Sequence, residues 1–408
     1  MTHMPPYTRR RALAAGGTAL LPLAGCLARE ESPQGTVTTS VQDGTTTTGG
    51  TNTADPEQIE WSRDIPVTTD LTVADGTIVV GDREGVLHVL GADGSEQWTY
   101  EADSAIRSVQ VTEDTLYLTT GERSGAHISG AQVHAVERGG QQRWATGVGK
   151  RARQAHILGV ADGVLGVGLQ NDNIKPTGEA TFGLDIRDGS EVWRHETGDV
   201  DGGNAGPERI YALEYESVVA FHAGSGARLW SRPVEFPDSP FRLGSVLVVP
   251  GKTIAGLDPS NGHAAWTFGG SLDLHGAIRV GDRVYTRGEV IAALERDGTE
   301  TWRYDRGGWL GAHRSGLLFG ADDSRCYALR TDGNEQWTAS IPADYFDLEA
   351  ATETLVAGTA EETVHAYDQA DGTRAYSAEF PEGHSIGLAA TRDRFVMATE
   401  SGLYALRG

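Results

Sequence analysis

At eight regularly spaced places in this chain a glycine stands four residues ahead of an aromatic side chain. The pairs are Gly94/Trp98, Gly140/Trp144, Gly189/Trp193, Gly226/Trp230, Gly262/Trp266, Gly298/Trp302, Gly333/Trp337 and Gly372/Tyr376. Their spacing, 35 to 49 residues, is the length of one supersecondary unit repeated along a chain. A repeat of that length excludes most single-core architectures. A unit of about forty residues cannot bury an apolar face alone and must stack against its neighbours.

The residues within a unit say what it is made of. In 274–304, Leu274 to Val280 reads as a first strand, Gly281-Asp282 as a turn and Arg283 to Thr286 as a second strand. Val290 to Leu294 reads as a third, Asp297-Gly298 as the next turn and Thr301 to Tyr304 as a fourth. Short β-branched and aromatic runs between Asp-Gly turns are hairpin chemistry, and no stretch keeps a helical period. Four antiparallel strands repeated at this interval predict an all-β fold, a single propeller of radially arranged blades. The glycine supplies the positive φ of the turn between third and fourth strands. The indole then leans from the outer strand to cover the next blade.

The two ends of the chain predict closure. Arg394 to Thr399 and Gly402 to Leu406 supply strands of a last unit that lacks a fourth, while Ile59 to Arg63 reads as a fourth strand without predecessors. Pairing them completes one blade and removes the free sheet edges. With Trp61 included, the blade-docking aromatics are Trp61, Trp98, Trp144, Trp193, Trp230, Trp266, Trp302, Trp337 and Tyr376, so the motif count gives nine blades where propellers typically have four to eight. The unit around Ala205 to Ile210 has the least regular first strand.

The stretches Gly256-Leu257-Asp258-Pro259-Ser260-Asn261-Gly262 through Trp266 and Ala366-Tyr367-Asp368 through Tyr376 resemble the repeat of quinoprotein-type (PQQ-like) β-propellers, roughly Tyr-Ala-Leu-Asp-x-x-Thr-Gly-x-x-x-Trp. The resemblance covers 59–408. It implies the propeller fold, and its members include pyrroloquinoline quinone dehydrogenases and a bacterial outer-membrane assembly lipoprotein. The motif specifies the fold and not an activity.

Composition narrows the partners. Against 57 acidic residues there are 34 basic ones, a formal charge of −23, and only Lys150, Lys175 and Lys252 are lysines. An acidic surface without a basic stripe repels phosphates, which excludes nucleic acid. Acidic excess with scarce lysine looks like the proteins of salt-accumulating halophilic archaea, where self-repulsion preserves solubility under strong screening; an ordinary acidic protein is the alternative. Two cysteines, Cys26 and Cys326, are too few for a disulfide framework. Cys326 lies in an apolar strand and reads as a small core residue.

Residues 1–25 read as an export signal. Arg9-Arg10-Arg11 precedes an apolar run, Ala12 to Ala24, too short to span a bilayer. Paired arginines point to the twin-arginine route, which moves folded proteins. Leu23-Ala24-Gly25-Cys26 resembles the lipobox of prokaryotic lipoproteins, which implies that Cys26 is lipidated; two chains on one cysteine would anchor stably. Residues 26–58, rich in Thr and Gly, cannot bury a core and read as a flexible tether. The domain organisation is then signal 1–25, tether 26–58 and propeller 59–408, on an exported monomer at the outer face of the cytoplasmic membrane.

The loops leading into the innermost strands should gather around the central mouth. Alignment of the units on the turn before each second strand places Arg107, His156, Asp201, Asp238, His275, Trp309, Asp347 and His384 there as candidate ligand or partner contacts. Two loops between second and third strands are long: Gly121 to Gly130, with Glu122, Arg123 and His127, and Gln170 to Glu179, with Asn171, Asp172, Asn173 and Lys175. Long loops in compact domains often bind. Asn-Asp-Asn offers oxygen ligands to calcium but lacks the rest of a loop.

His-Glu-x-x-His and phosphate-cradling glycine motifs are absent from the sequence. The reading that follows is a non-catalytic binding or scaffold propeller with no cofactor and a protein or small ligand at the mouth. The alternative is a quinone-dependent dehydrogenase of alcohols or sugars. The resemblance would give it a carboxylate base, calcium, a stacking tryptophan and often a disulfide of adjacent cysteines. Adjacent cysteines are missing; Trp309 could stack and Asp201 or Asp347 could act as base.

Overall fold

The computed structural model describes residues 58–124, 127–152, 154–170, 180–322, 324–341, 345–359, 363–380 and 385–408. The signal with Cys26 and almost the whole tether lie outside the described residues, as do His384 and 171–179. Among the described residues the regular structure is all strand, in nine four-stranded antiparallel sheets. Eight sheets use consecutive strands. We number these blades along the chain: 72–101, 106–152, 154–196, 200–233, 241–268, 274–304, 309–340 and 345–379.

The ninth blade joins the two ends. Ile59–Arg63 pairs antiparallel with Leu403–Arg407, Trp61 opposite Ala405 and Ser62 opposite Tyr404, beside the hairpin of Ser385–Ala390 and Arg394–Thr399. Glu60 reinforces the seam, bonding Arg394 Nε at 2.5 Å and Arg407 Nε at 3.4 Å.

The core follows from this arrangement. Buried side chains form nine clusters, and each straddles two successive blades, including the ninth and the first. An open array would have one joint fewer than it has blades, so the ring is closed. First strands touch the first strands of neighbouring blades and therefore surround the axis, while fourth strands form the rim.

Eight of the nine joints carry an indole, and the ninth carries Tyr376. Seven of the ring tryptophans donate Nε1–H to a carbonyl of the following blade at 2.5–3.2 Å, as Trp144 does to Ile186 and Trp337 to Gln369. Burial outweighs that bond. Covering roughly 200 Å² of indole at about 25 cal/mol/Å² gives an upper figure of about 5 kcal/mol per joint, against about 1 kcal/mol net for the hydrogen bond. Tyr376 differs because the blade after it has no turn between third and fourth strands, only the junction of the chain ends. Its hydroxyl donates to Arg407 O at 2.7 Å.

One expectation is explained and one corrected. The fourth blade's first strand, the least regular in the sequence, is Val200–Ala205. Gly202 and Gly203 break its hydrophobic pattern because the strand bulges there, and a Cβ on Gly203 would lie 2.0 Å from Tyr211 O. Gly121 to Gly130 is strand on both sides of 125–126, which lie outside the described residues. Thr115–Ser124 and His127–Glu137 pair through it, Glu122 opposite Ser129 and Ser124 opposite His127, as one long hairpin.

Candidate functional site: the propeller mouth

The loops leading into the first strands and the turns between second and third strands share one end of the ring. Backbone hydrogen bonds link them: Gly121 N to Ala105 O, Tyr215 N to Asp199 O, Asp238 N to Pro250 O and Glu289 N to Asp273 O. The mouth is therefore a stitched rim on rigid strands.

Of the eight candidates, Asp238 lies in a loop, whereas Arg107, His156, Asp201, His275, Trp309 and Asp347 lie within first strands. The strand register shifts at Ile106/Ser108, Val200/Gly203, Leu274/Gly276 and Tyr345/Asp347. Arg107, Asp201 and His275 thus occupy bulges, which turn a side chain out of the sheet's alternation.

Two candidates, Asp238 and Trp309, are linked through Arg287 across blades five to seven. The Asp238 carboxylate lies against Gly276, where a Cβ would be 3.2 Å from Oδ2. Burial pushes its carboxyl up, opposed by the hydrogen bond from Ser239 N and by the Arg287 guanidinium. Arg287 stacks over the Trp309 ring, 4.1 Å from its centroid. His275 sits beside Gly276 and faces Asp273 at 4.0 Å.

The other candidates hold separate stations. Arg107 Nε donates to Gly121 O at 3.0 Å. Asp201 accepts from Gln170 Nε2 of the preceding blade. Asp347 Oδ1 accepts from Leu348 N at 2.9 Å. Burial lowers the His156 imidazole to about 4, and its Nε2 has no hydrogen-bond partner. The structure therefore spreads these residues around a rim and does not assemble one acid–base constellation.

Sequence alignment missed two carboxyls. Asp70 precedes the first blade's first strand, Thr72–Ala74, and desolvation raises it to about 6. The same alignment, applied to Asp70 through Gly76, would have found it. Glu349 is pushed well above the usual carboxylate range by burial, with Asp347 adding to the shift; its sequence position gave no signal.

The surroundings of Trp309 depart from the quinoprotein pattern of a stacking tryptophan beside paired cysteines. One ring face is covered by Arg287, and Cys326 is buried between the seventh and eighth blades, its thiol pushed up to about 12. No three His, Cys, Asp or Glu side chains among the described residues are grouped to hold a metal ion.

A closed ring of four-stranded blades with indoles at its joints defines a PQQ-like repeat propeller. The model of the family described as outer membrane protein assembly factor BamB matches residues 45–268 and 286–407, and the chain belongs to that family. Among curated proteins, none matches. Solved structures share the fold. BamB from Moraxella catarrhalis is 15% identical with a TM-score of 0.53, covering 86% of this chain and 99% of its own. The computationally designed Ika8 protein is 12% identical with a TM-score of 0.53, covering 86% and 98%. Saccharomyces cerevisiae Sqt1 is 10% identical with a TM-score of 0.50, covering 84% and 96%.

Proposed function

We propose that this chain is a non-catalytic binding or scaffold propeller, exported and lipid-anchored through Cys26, that holds a protein partner or small ligand at its mouth. The observation that carries this reading is the Arg287–Trp309 stack. The one tryptophan outside the docking series is spent on a neighbouring guanidinium, and the nearby carboxylates occupy separate blades. Membership of a family described by an assembly factor supports the same role. The ring edges are paired within the chain, which favours a monomer.

Purified protein, incubated with pyrroloquinoline quinone and Ca²⁺, should give no alcohol- or sugar-dependent dye reduction. Turnover that disappears in a Trp309→Ala variant would overturn the reading. In native membranes, Cys26→Ser should release the protein into the soluble fraction; retention of the variant would remove the lipid anchor from the account. Low-lysine acidity supports folding in concentrated salt, so the protein should retain its structure in molar KCl. Unfolding or precipitation there would contradict adaptation to salt.

A further inference from the structure

Two bulky aromatics stand open to solvent at one corner of the mouth end. Tyr215 is 74% exposed and Phe236 is 70% exposed; the other large apolar side chains found exposed among the described residues, Val192 and Leu229, lie on rim strands. Both aromatics have left-handed backbone, each with φ +52°. That region disfavours bulky L-residues, and strain of this kind concentrates at functional positions. The other three non-glycine residues there, Asp75, Asp162 and Ser315, precede glycines in tight hairpins.

Tyr215 and Phe236 sit on neighbouring, fixed segments. Tyr215 occupies the turn between Arg209–Glu214 and Ser217–His222, and its N–H reaches Asp199 O at 3.2 Å. Glu216 O accepts from Val234 N at 2.9 Å, two residues before Phe236. Glu235 O accepts from Lys252 N at 3.1 Å, tying the loop to the next blade. The aromatics are held out by folded backbone.

Each is flanked by acids: Glu214-Tyr215-Glu216 and Glu235-Phe236-Pro237-Asp238. Asp199 adds a further carboxylate. The opposing cations are Lys252, 3.4 Å from Glu235, Arg228, which acts on Glu214, and Arg287, which acts on Asp238. The Glu214 carboxyl is raised by burial, and its Oε1 has no hydrogen-bond partner. Through Asp238 the patch runs into the mouth.

We propose that the Tyr215–Phe236 corner is a docking surface for an arginine- or lysine-rich extended segment of a partner protein. Guanidinium or ammonium groups would lie over the exposed rings, where cation–π attraction and the flanking carboxylates act together. Aromatic anchors on a rigid rim also lose little conformational entropy on binding. The proposal rests on the binding-module reading and specifies its partner's chemistry.

The test uses the propeller with two fluorescein-labelled peptides, one of alternating Arg and Ser and one of alternating Glu and Ser, in about 0.1 M salt, where screening reaches about 10 Å. Wild type should bind the Arg peptide in a salt-sensitive manner and not the Glu peptide. The Tyr215→Gly/Phe236→Gly double variant should weaken it at least about tenfold. Its melting temperature should hold or rise, because glycine accepts the left-handed backbone. Leu229→Ser, on the rim, should bind as wild type. No Arg-peptide binding, equal Glu-peptide binding, an unchanged affinity in the double variant or an aromatic-dependent dimer in sedimentation would each overturn the proposal. The binding-module reading fails separately, on quinone turnover, which this variant does not touch.

Discussion

Trp337 fills the hollow that Gly372 leaves. A Cβ at Gly372 would lie 2.5 Å from Trp337 Cε3, and the indole N–H donates to Gln369 O at 2.7 Å. The same relation recurs at all eight turns. Glycines 94, 140, 189, 226, 262, 298, 333 and 372 each receive the tryptophan of the preceding blade, at 2.5–3.0 Å from the absent Cβ, with φ between +68° and +90°. The glycine and the aromatic of one motif therefore serve different joints.

Glycine substitutions separate the two demands on that position. Gly76 has φ +73° with nothing within 4 Å of its absent Cβ. Gly76→Ala should cost about 1 kcal/mol, the backbone term alone. Gly372→Ala meets both the backbone term and the ring, and should cost about 3 kcal/mol. Denaturant unfolding measures both; equal losses would deny the packing role.

Two mouth residues titrate in opposite directions. Asp70 is raised from its ordinary 3.8 to about 6 in the folded state, so folding takes up a proton between those values and stability falls as pH rises through them. His156 is lowered from 6.5 to about 4, so the unfolded chain binds the extra proton and stability falls as pH drops from 6.5 to 4. Relative to wild type, Asp70→Asn should gain stability above pH 6, and His156→Gln should flatten the acid loss. Parallel melting curves for wild type and both variants check this.

Cys326 is fully buried in the joint between the seventh and eighth blades. Desolvation raises its thiol to about 12, leaving almost no thiolate at neutral pH. Iodoacetamide at pH 8 should modify it only in denaturant. Modification of the native protein at the unfolded rate would mean that this joint opens.

The fold was legible because stacking units must repeat their solutions. Ile59–Arg63 and Arg394–Thr399 occupy the bounds read from the sequence. The motif supplied the count of nine because every joint needs its aromatic. The steric role of Gly372 was not legible, since its Trp337 partner belongs to the preceding unit. At the mouth, an alignment of units put Arg107 and His275 near the rim but could not show the bulges that re-aim them. Asp238, Arg287 and Trp309 come together from three blades, a relation that no local pattern records. No repeat position marks Tyr215 or Phe236; their exposure and left-handed backbone do.

Closure by the first strand is the claim on which the ring depends. Ser62 and Tyr404 face each other across that seam. A Ser62→Cys/Tyr404→Cys variant of the propeller, with Cys26 and Cys326 replaced by Ser, should form a cross-link within one chain under mild oxidation or with a short bis-maleimide, and reduction or cleavage should restore the uncross-linked mobility. Thiols that stay unlinked, or links only between chains, would contradict the closed nine-blade ring.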